Sequence, residues 1–271
     1  MRDPLLPLLP GPQDADRPWL ICYGIDERVE LTGHVLSMWL AKIAGFVTSE
    51  STPGDGVHVG LPPHWRSVAW ACGTWLAGRS VLLGSNEEIR TAGLIPELSV
   101  AFTPESLYDE AEAQALVPPA SLALRWPEEL PALVLDGAAD LMHYPDRFTP
   151  VSTAADSVCL TDLTSEAAAP AAPGAPGGTA PSGGRLTVLT RAQLAARVEA
   201  ADAPAGSGRH SASRAVLVRS PDTAQMLQEV LVAWRTGRTA VVLTPEAGDD
   251  VAAAAIRQEG IQEDIQEGIT A

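Results

Sequence analysis

The residues able to do chemistry are few and scattered. The five histidines are His34, His58, His64, His143 and His210. No two stand at i and i+4 and there is no HExxH, so no helix presents two imidazoles to one metal, and no metal site is expected. Cys22, Cys72 and Cys159 are odd in number, widely spaced and without a CxxC. That excludes a disulfide framework or a zinc cluster and fits a reducing cytoplasm. No GxSxG elbow is present, and no cysteine carries a local nucleophile signature. Asp136, Asp140 and Asp146, like Asp109 and Glu112, have the composition of acid–base pairs. Acids on exposed loops and helices are common, so these are read as solvated positions, and no catalytic residue is assigned. Lys42 is the single lysine, which leaves little room for lysine chemistry. The glycine-rich stretch 174–184 holds neither GxGxxG nor a Walker lysine.

One pair stands out by position. His64 and Arg66 lie in the turn Pro62-Pro63-His64-Trp65-Arg66, directly after a strand-like run. Open α/β sheets bind ligands at the carboxyl ends of their strands, so the pair is a candidate contact for an anionic group. The alternative is a solvated turn in which His64 caps the following helix.

The elements that must position these residues follow from an internal repeat. Residues 57–83 lie over 216–242 without a gap. Val57, Val59, Pro62, Trp75, Gly78 and Arg79 meet Val216, Val218, Pro221, Trp234, Gly237 and Arg238. Each copy reads as a short β-branched strand, a proline turn, and an apolar stripe at helical spacing. The stripes are Trp65, Val68, Cys72, Trp75 and Leu227, Val230, Leu231, Trp234. Each helix stops at a glycine, Gly78 or Gly237, and an apolar strand follows. Strand–helix–strand units make parallel pairs with a right-handed crossover. A further helix precedes each copy, starting near Thr32 and near Thr190. Leu98–Phe102, Ser121–Trp126 and Ser157–Leu163 read as further strands, and 104–115 as an acidic helix.

The expected architecture is α/β, with two similar βαβ-containing lobes and mainly parallel sheets. Its divisions are a flexible segment 1–17, a first lobe 18–165, a loop or linker 166–184, a second, partial lobe 185–257 and an acidic tail 258–271. In the linker 16 of 19 residues are Ala, Pro or Gly. The tail repeats Ile every fourth position, and a frayed tail is preferred to an amphipathic helix. The 271 residues are 46% hydrophobic and 19% charged, enough for a sizeable core. The net charge of −16 disfavours nucleic acid and anionic membranes as partners. Pro4, Pro7 and Pro10 interrupt the leucine-rich start, which therefore does not read as a signal peptide, and no apolar run reaches membrane-spanning length.

The stretch Gly54-Asp55-Gly56-Val57-His58-Val59-Gly60-Leu61-Pro62, followed by Trp75-Leu76-Ala77-Gly78-Arg79-Ser80-Val81-Leu82-Leu83, resembles the adenylate-forming superfamily of acyl-CoA synthetases and AMP-binding enzymes. The resemblance covers residues 18–245. It is nearest to short, uncharacterised bacterial proteins similar to the front half of those enzymes, whose pattern is matched by Leu135-Asp136-Gly137 and by Tyr144 to Pro150. It implies the fold of an N-terminal domain of an adenylate-forming enzyme, and it places a nucleotide phosphate at Thr164, Ser165 and Arg185. This chain departs from the family there. Glu166 stands where the phosphate loop has glycine, the Ala/Pro/Gly run replaces the rest of the loop, and Arg185 takes the place of lysine. The family's adenine motifs, ribose-binding acid and C-terminal catalytic lysine have no counterpart in these residues. The resulting expectation is a non-catalytic relative that binds a small ligand or a protein. A reduced adenylate-forming ligase completed by a partner chain, or a structural homodimer, are the alternatives. No cofactor is evident from the residues, and ATP or AMP enters only through the resemblance.

Overall fold

The structure, a computed structural model, describes residues 3–11, 13–14, 16–164, 186–202 and 213–262. In chain order its elements are β1 (Pro18–Tyr23), β2 (Arg28–Thr32), α1 (Gly33–Glu50), β3 (Val57–Gly60), α2 (Trp65–Leu76), β4 (Val81–Leu83), α3 (Asn86–Ala92), β5 (Leu98–Ala101), β6 (Ala113–Leu116), β7 (Leu135–Asp136), β8 (Val158–Asp162), β9 (Thr187–Thr190), α4 (Arg191–Asp202), β10 (Ala215–Val218), α5 (Thr223–Arg235), β11 (Thr239–Leu243) and α6 (Asp249–Glu259). They form a four-stranded sheet, β10-β11-β1-β2, and a seven-stranded sheet, β7-β6-β5-β3-β4-β8-β9. Every pairing is parallel except the hairpins β1–β2 and β8–β9. The architecture is thus mixed α/β with mainly parallel sheets. No described helix is long and apolar enough to cross a membrane.

The repeat seen in the sequence is a repeat of structure, down to the pairing register. Val57 faces Val81 in one copy, and the matching Val216 faces Ala240 in the other. It also extends further than sequence identity reveals. Each parallel pair takes an antiparallel hairpin as its next neighbour. Val81 pairs with Leu160 of β8 and Ala240 with Leu20 of β1, and each hairpin has a register shift near its start. The hairpins end at Thr32 and Thr190. Thr32 Oγ1 accepts from Val35 N at 3.3 Å to start α1, and Thr190 Oγ1 accepts from Gln193 N at 3.2 Å to start α4, both ordinary N-caps. Each unit is therefore hairpin–helix–strand–helix–strand.

The hairpin of each unit sits in the sheet of the other. The lobes consequently do not divide at residues 165 and 185. Residues 18–32 complete the smaller sheet and 187–190 the larger one, because an open β11 or β4 edge is completed only by the hairpin from far away in the chain. Two equivalent tryptophans lock the exchange. Trp75 Nε1–H donates to the Cys159 carbonyl and Trp234 Nε1–H to the Trp19 carbonyl, both at 2.8 Å. One buried cluster runs through both sheets, from Leu20 and Val242 to Val57 and Val81, with α1, α2 and α5 packed into it.

Other expectations are corrected. The helix expected at 104–115 is a 3₁₀ turn at Pro104–Ser106 followed by β6, since parallel pairing with β5 buries Ala115 and Leu116 and overrides local preference. Ser121–Trp126 forms no strand; its carbonyls accept from a buried arginine instead, as described below. The segment 1–17 is packed where described: Leu5 is buried, and Asp3 pairs with buried Arg191 at 2.7 Å. Helix α6, not foreseen, runs to Glu259 and stops at Gly260 in the left-handed region. The linker 166–184 and residues 263–271 of the tail lie outside the described residues.

The repeat makes a paired prediction. Gly78 and Gly237 both have left-handed φ, 76° and 72°, so alanine at either costs roughly 1–2 kcal/mol. At Gly78 the added methyl would also lie 2.8 Å from Val151 Cγ1, whereas at Gly237 its nearest neighbour is Arg17 Nη1 at 3.7 Å. Urea unfolding should show Gly78→Ala destabilised by about 1 kcal/mol more than Gly237→Ala.

Candidate functional site

The exchanged hairpins create two clefts at the carboxyl ends of the strands, occupying equivalent places in the two units. The larger, about 600 Å³, lies between Gly60 and Leu61 after β3, Leu83 and Gly84 at the end of β4, Thr164 after β8, and Thr223 at the start of α5. The smaller, about 390 Å³, lies between Gly24 after β1, Thr244 after β11, and Pro62, Pro63 and His64 at the start of α2. The helix starts are set by matching chemistry. Asp222 Oδ1 accepts from Gln225 N at 2.7 Å to cap α5, and His64 Nδ1 accepts from Arg66 N at 3.1 Å to cap α2. Thr223 Oγ1 donates to the Leu61 carbonyl at 2.8 Å and so ties one unit to the other at the larger cleft, which both residues line.

The floor of the larger cleft is His58, 1% exposed. Its ring is fully engaged. Tyr108 N–H donates to Ser99 Oγ, Ser99 O–H donates to His58 Nδ1 at 2.8 Å, and Nε2–H donates to the Gly84 carbonyl at 3.1 Å. Burial pulls its pKa down to about 4, so it is a neutral strut with no free lone pair to act as a base. Glu87 and Glu105 line the same cleft, and its described lining residues include no lysine or arginine.

In the smaller cleft the fold assembles Ser121, His64 and Glu27, three residues with no telling spacing in the sequence. Ser121 Oγ lies 3.3 Å from His64 Nε2 and 2.6 Å from Glu27 Oε1. This has the composition of a nucleophile–base–acid set with the hydrogen bonds in the wrong sense. His64 Nδ1 is an acceptor for the helix cap, so Nε2 carries the proton and cannot take one from serine. The serine hydroxyl donates straight to Glu27. Burial, reinforced by the nearby Arg66 charge, lowers the His64 pKa to about 4. The cysteines offer no nucleophile either. All three are buried, and burial pushes Cys22 and Cys159 up to about 12 and Cys72 higher still.

The residues singled out in the sequence are placed apart. Thr164 lines the larger cleft, where its backbone N–H and its hydroxyl both donate to Asp162 Oδ1, at 3.0 and 2.7 Å. Ser165 and Arg185 lie outside the described residues. His64 lines the smaller cleft. It caps α2, as the second reading held, but the turn is not solvated: His64 is 3% and Arg66 2% exposed. Arg66 Nη2 donates to the carbonyls of Ala120, Ser121 and Ala123, at 3.3, 3.1 and 2.9 Å. Burial lowers its pKa to about 10, which leaves it a cation at neutral pH. Lys42 holds the Tyr144 carbonyl at 2.8 Å and Asp146 at 2.6 Å. Among the described residues no cluster of three His, Cys, Asp or Glu side chains is arranged to hold a metal.

No family model matches the sequence, and no curated protein matches it. Solved structures do. The acyl-CoA synthetase of Brucella canis superposes with a TM-score of 0.67 at 16% identity, over 95% of this chain and 48% of that one. The acetoacetyl-CoA synthetase of Streptomyces lividans gives 0.66 at 15%, over 90% and 38%. The N-terminal subdomain of Klebsiella oxytoca NpsA gives 0.62 at 15%, over 94% and 58%. The chain spans about half the length of the synthetase that heads this comparison. Its fold is that of an N-terminal domain of adenylate-forming enzymes.

The two neutral histidines set a pH dependence. The unfolded chain binds protons at these sites below pH 6.5, the ordinary histidine value, while the folded chain refuses them until about pH 4. Stability is therefore fully present above pH 6.5 and lost as pH falls towards 4, by roughly 3 kcal/mol per histidine at most. Urea midpoints measured across this range should fall with acid, and His58→Gln should flatten the fall by about one proton's worth.

Proposed function

We propose that this chain is a non-catalytic binding module that keeps the scaffold of the adenylate-forming enzymes and holds a small, uncharged or cationic molecule in its larger cleft. The observation that supports this reading is the lining of that cleft. The charged side chains among its described lining residues are Glu87 and Glu105. A triphosphate there would meet like charge in a protein of net charge −16. Adenylation needs donors aimed at the transferring phosphoryl group and two aligned reactants. The described lining residues supply neither a cation for the first nor a base for the second, because His58 is locked between Ser99 and Gly84. ATP and AMP are accordingly not proposed as cofactors. The three free, buried thiols support a cytoplasmic location.

Calorimetric titration with AMP and ATP should show no binding at millimolar ligand, and Arg185→Ala should change nothing. ATP–pyrophosphate exchange over a panel of carboxylic acids should stay at background; robust exchange by the purified chain would overturn the reading. A ligand found by thermal shift among uncharged and cationic small molecules should lose about ten-fold or more in affinity in Thr164→Trp, which crowds the cleft mouth.

A further inference from the structure

Arg66 raises a question that packing alone does not answer. A buried guanidinium is costly to place, and this one holds the carbonyls of Ala120, Ser121 and Ala123. Glu27, on the β1–β2 turn, accepts from Ser121 N at 3.2 Å and from its hydroxyl at 2.6 Å. The backbone on both sides of Leu122 is thus tied down from two directions. The side chains it presents are apolar and in water: Leu122 is 80% and Leu124 70% exposed, and Ile25, on the same turn as Glu27, is 62% exposed. The ties hold the loop backbone in place with these side chains outward.

Beside these residues opens the smaller cleft, lined by Ile25, Phe102, Pro119 and Pro245 and by the carboxylates Asp26, Glu27 and Glu246, with no lysine or arginine among its described lining residues. Asp26 and Glu246 have no hydrogen-bond or ion-pair partner among the described residues. Thr244, 8% exposed, lines the cleft as well, and its buried hydroxyl also lacks a partner. The cleft thus offers two exposed carboxylates without a protein partner among the described residues, rimmed by the apolar Ile25, Phe102, Pro119 and Pro245.

We propose that the smaller cleft and the 119–124 loop form a docking surface for a segment of a partner protein that carries a lysine or arginine flanked by apolar side chains. The cation enters the cleft beside Asp26 and Glu246, and its apolar neighbours cover Ile25, Leu122 and Leu124. Charge complementarity selects this occupant. A second copy of the chain brings another −16, and an anionic lipid surface is repelled in the same way. The surface is separate from the larger cleft, and the proposal does not rest on what binds there.

The test is fluorescence anisotropy with the full chain and a dye-labelled, end-blocked peptide whose core is leucine–lysine–leucine. Saturable binding is expected, weakening about ten-fold or more when the peptide lysine becomes glutamine or glutamate, or its leucines become serine. The same loss is expected with Asp26→Asn combined with Glu246→Gln, and with Leu122→Ser combined with Leu124→Ser. These positions are at the surface, so unchanged urea midpoints show that both variants fold. Added salt should weaken the lysine peptide. No binding at millimolar peptide, or binding indifferent to both double variants, overturns the proposal. So does a homodimer in light scattering that disappears in Leu122→Ser, Leu124→Ser, since a second copy would then be the occupant.

Discussion

The hairpin exchange is the constraint on which everything else rests. The pair β10–β11 and the run β7-β6-β5-β3-β4 each end in an open edge, at β11 and at β4, that the other unit's hairpin closes. Because β1 must reach β11 and β8 must reach β4, the two sheets share a core, and α2 lies inside it with Trp65 to Trp75 all buried. The indoles of Trp75 and Trp234 make the arrangement specific. Each satisfies a carbonyl of the incoming strand, and a buried carbonyl without a donor costs on the order of 1–3 kcal/mol. The clefts follow directly, since each opens where an exchanged strand ends beside the parallel pair that receives it.

Equivalent position has not produced equivalent chemistry. At one helix start the cap is an aspartate, and the threonine after it reaches across to Leu61. At the other the cap is a histidine, which thereby becomes a fixed, neutral donor facing Ser121 and Glu27. One unit thus closes its cleft floor with a neutral ring held by a serine and a carbonyl, and the other surrounds its cleft with carboxylates. A duplicated scaffold that differs in a few side chains at its strand ends can hold two unlike occupants, which is how function is grafted onto a fold without altering it.

The periodic apolar positions of the repeat made the two βαβ units legible in the sequence, together with Gly78 and Gly237 as stops and Thr32 and Thr190 as starts. Those features are local: a helix stripe, a cap, a left-handed glycine. The hairpin exchange was not legible, because Trp19 and Trp234 lie 215 residues apart and no local pattern encodes which sheet a hairpin joins. The same limit explains the region 104–126, where pairing with β5 and capture by Arg66 decide the backbone. The site divides in the same way. His64 could be singled out because it follows a strand, and Thr164 through the family resemblance. The engagement of Arg66 with three carbonyls, and the meeting of Glu27, His64 and Ser121, exist only once distant turns have been brought together.

The buried pair of Asp3 with Arg191, sealed at 1% and 0% exposure, bears on how the chain folds. Asp3 and Arg191 are separated by 188 residues, and β11, the neighbour of β1, lies further on still. Until those segments meet, the edge of β1 that faces β11 has no native partner. Contacts of such long sequence separation fold slowly and leave apolar surface open in the interval. The two units therefore do not close one after the other: neither hairpin finds its sheet until the other unit is present, and folding passes through a stage with apolar surface open.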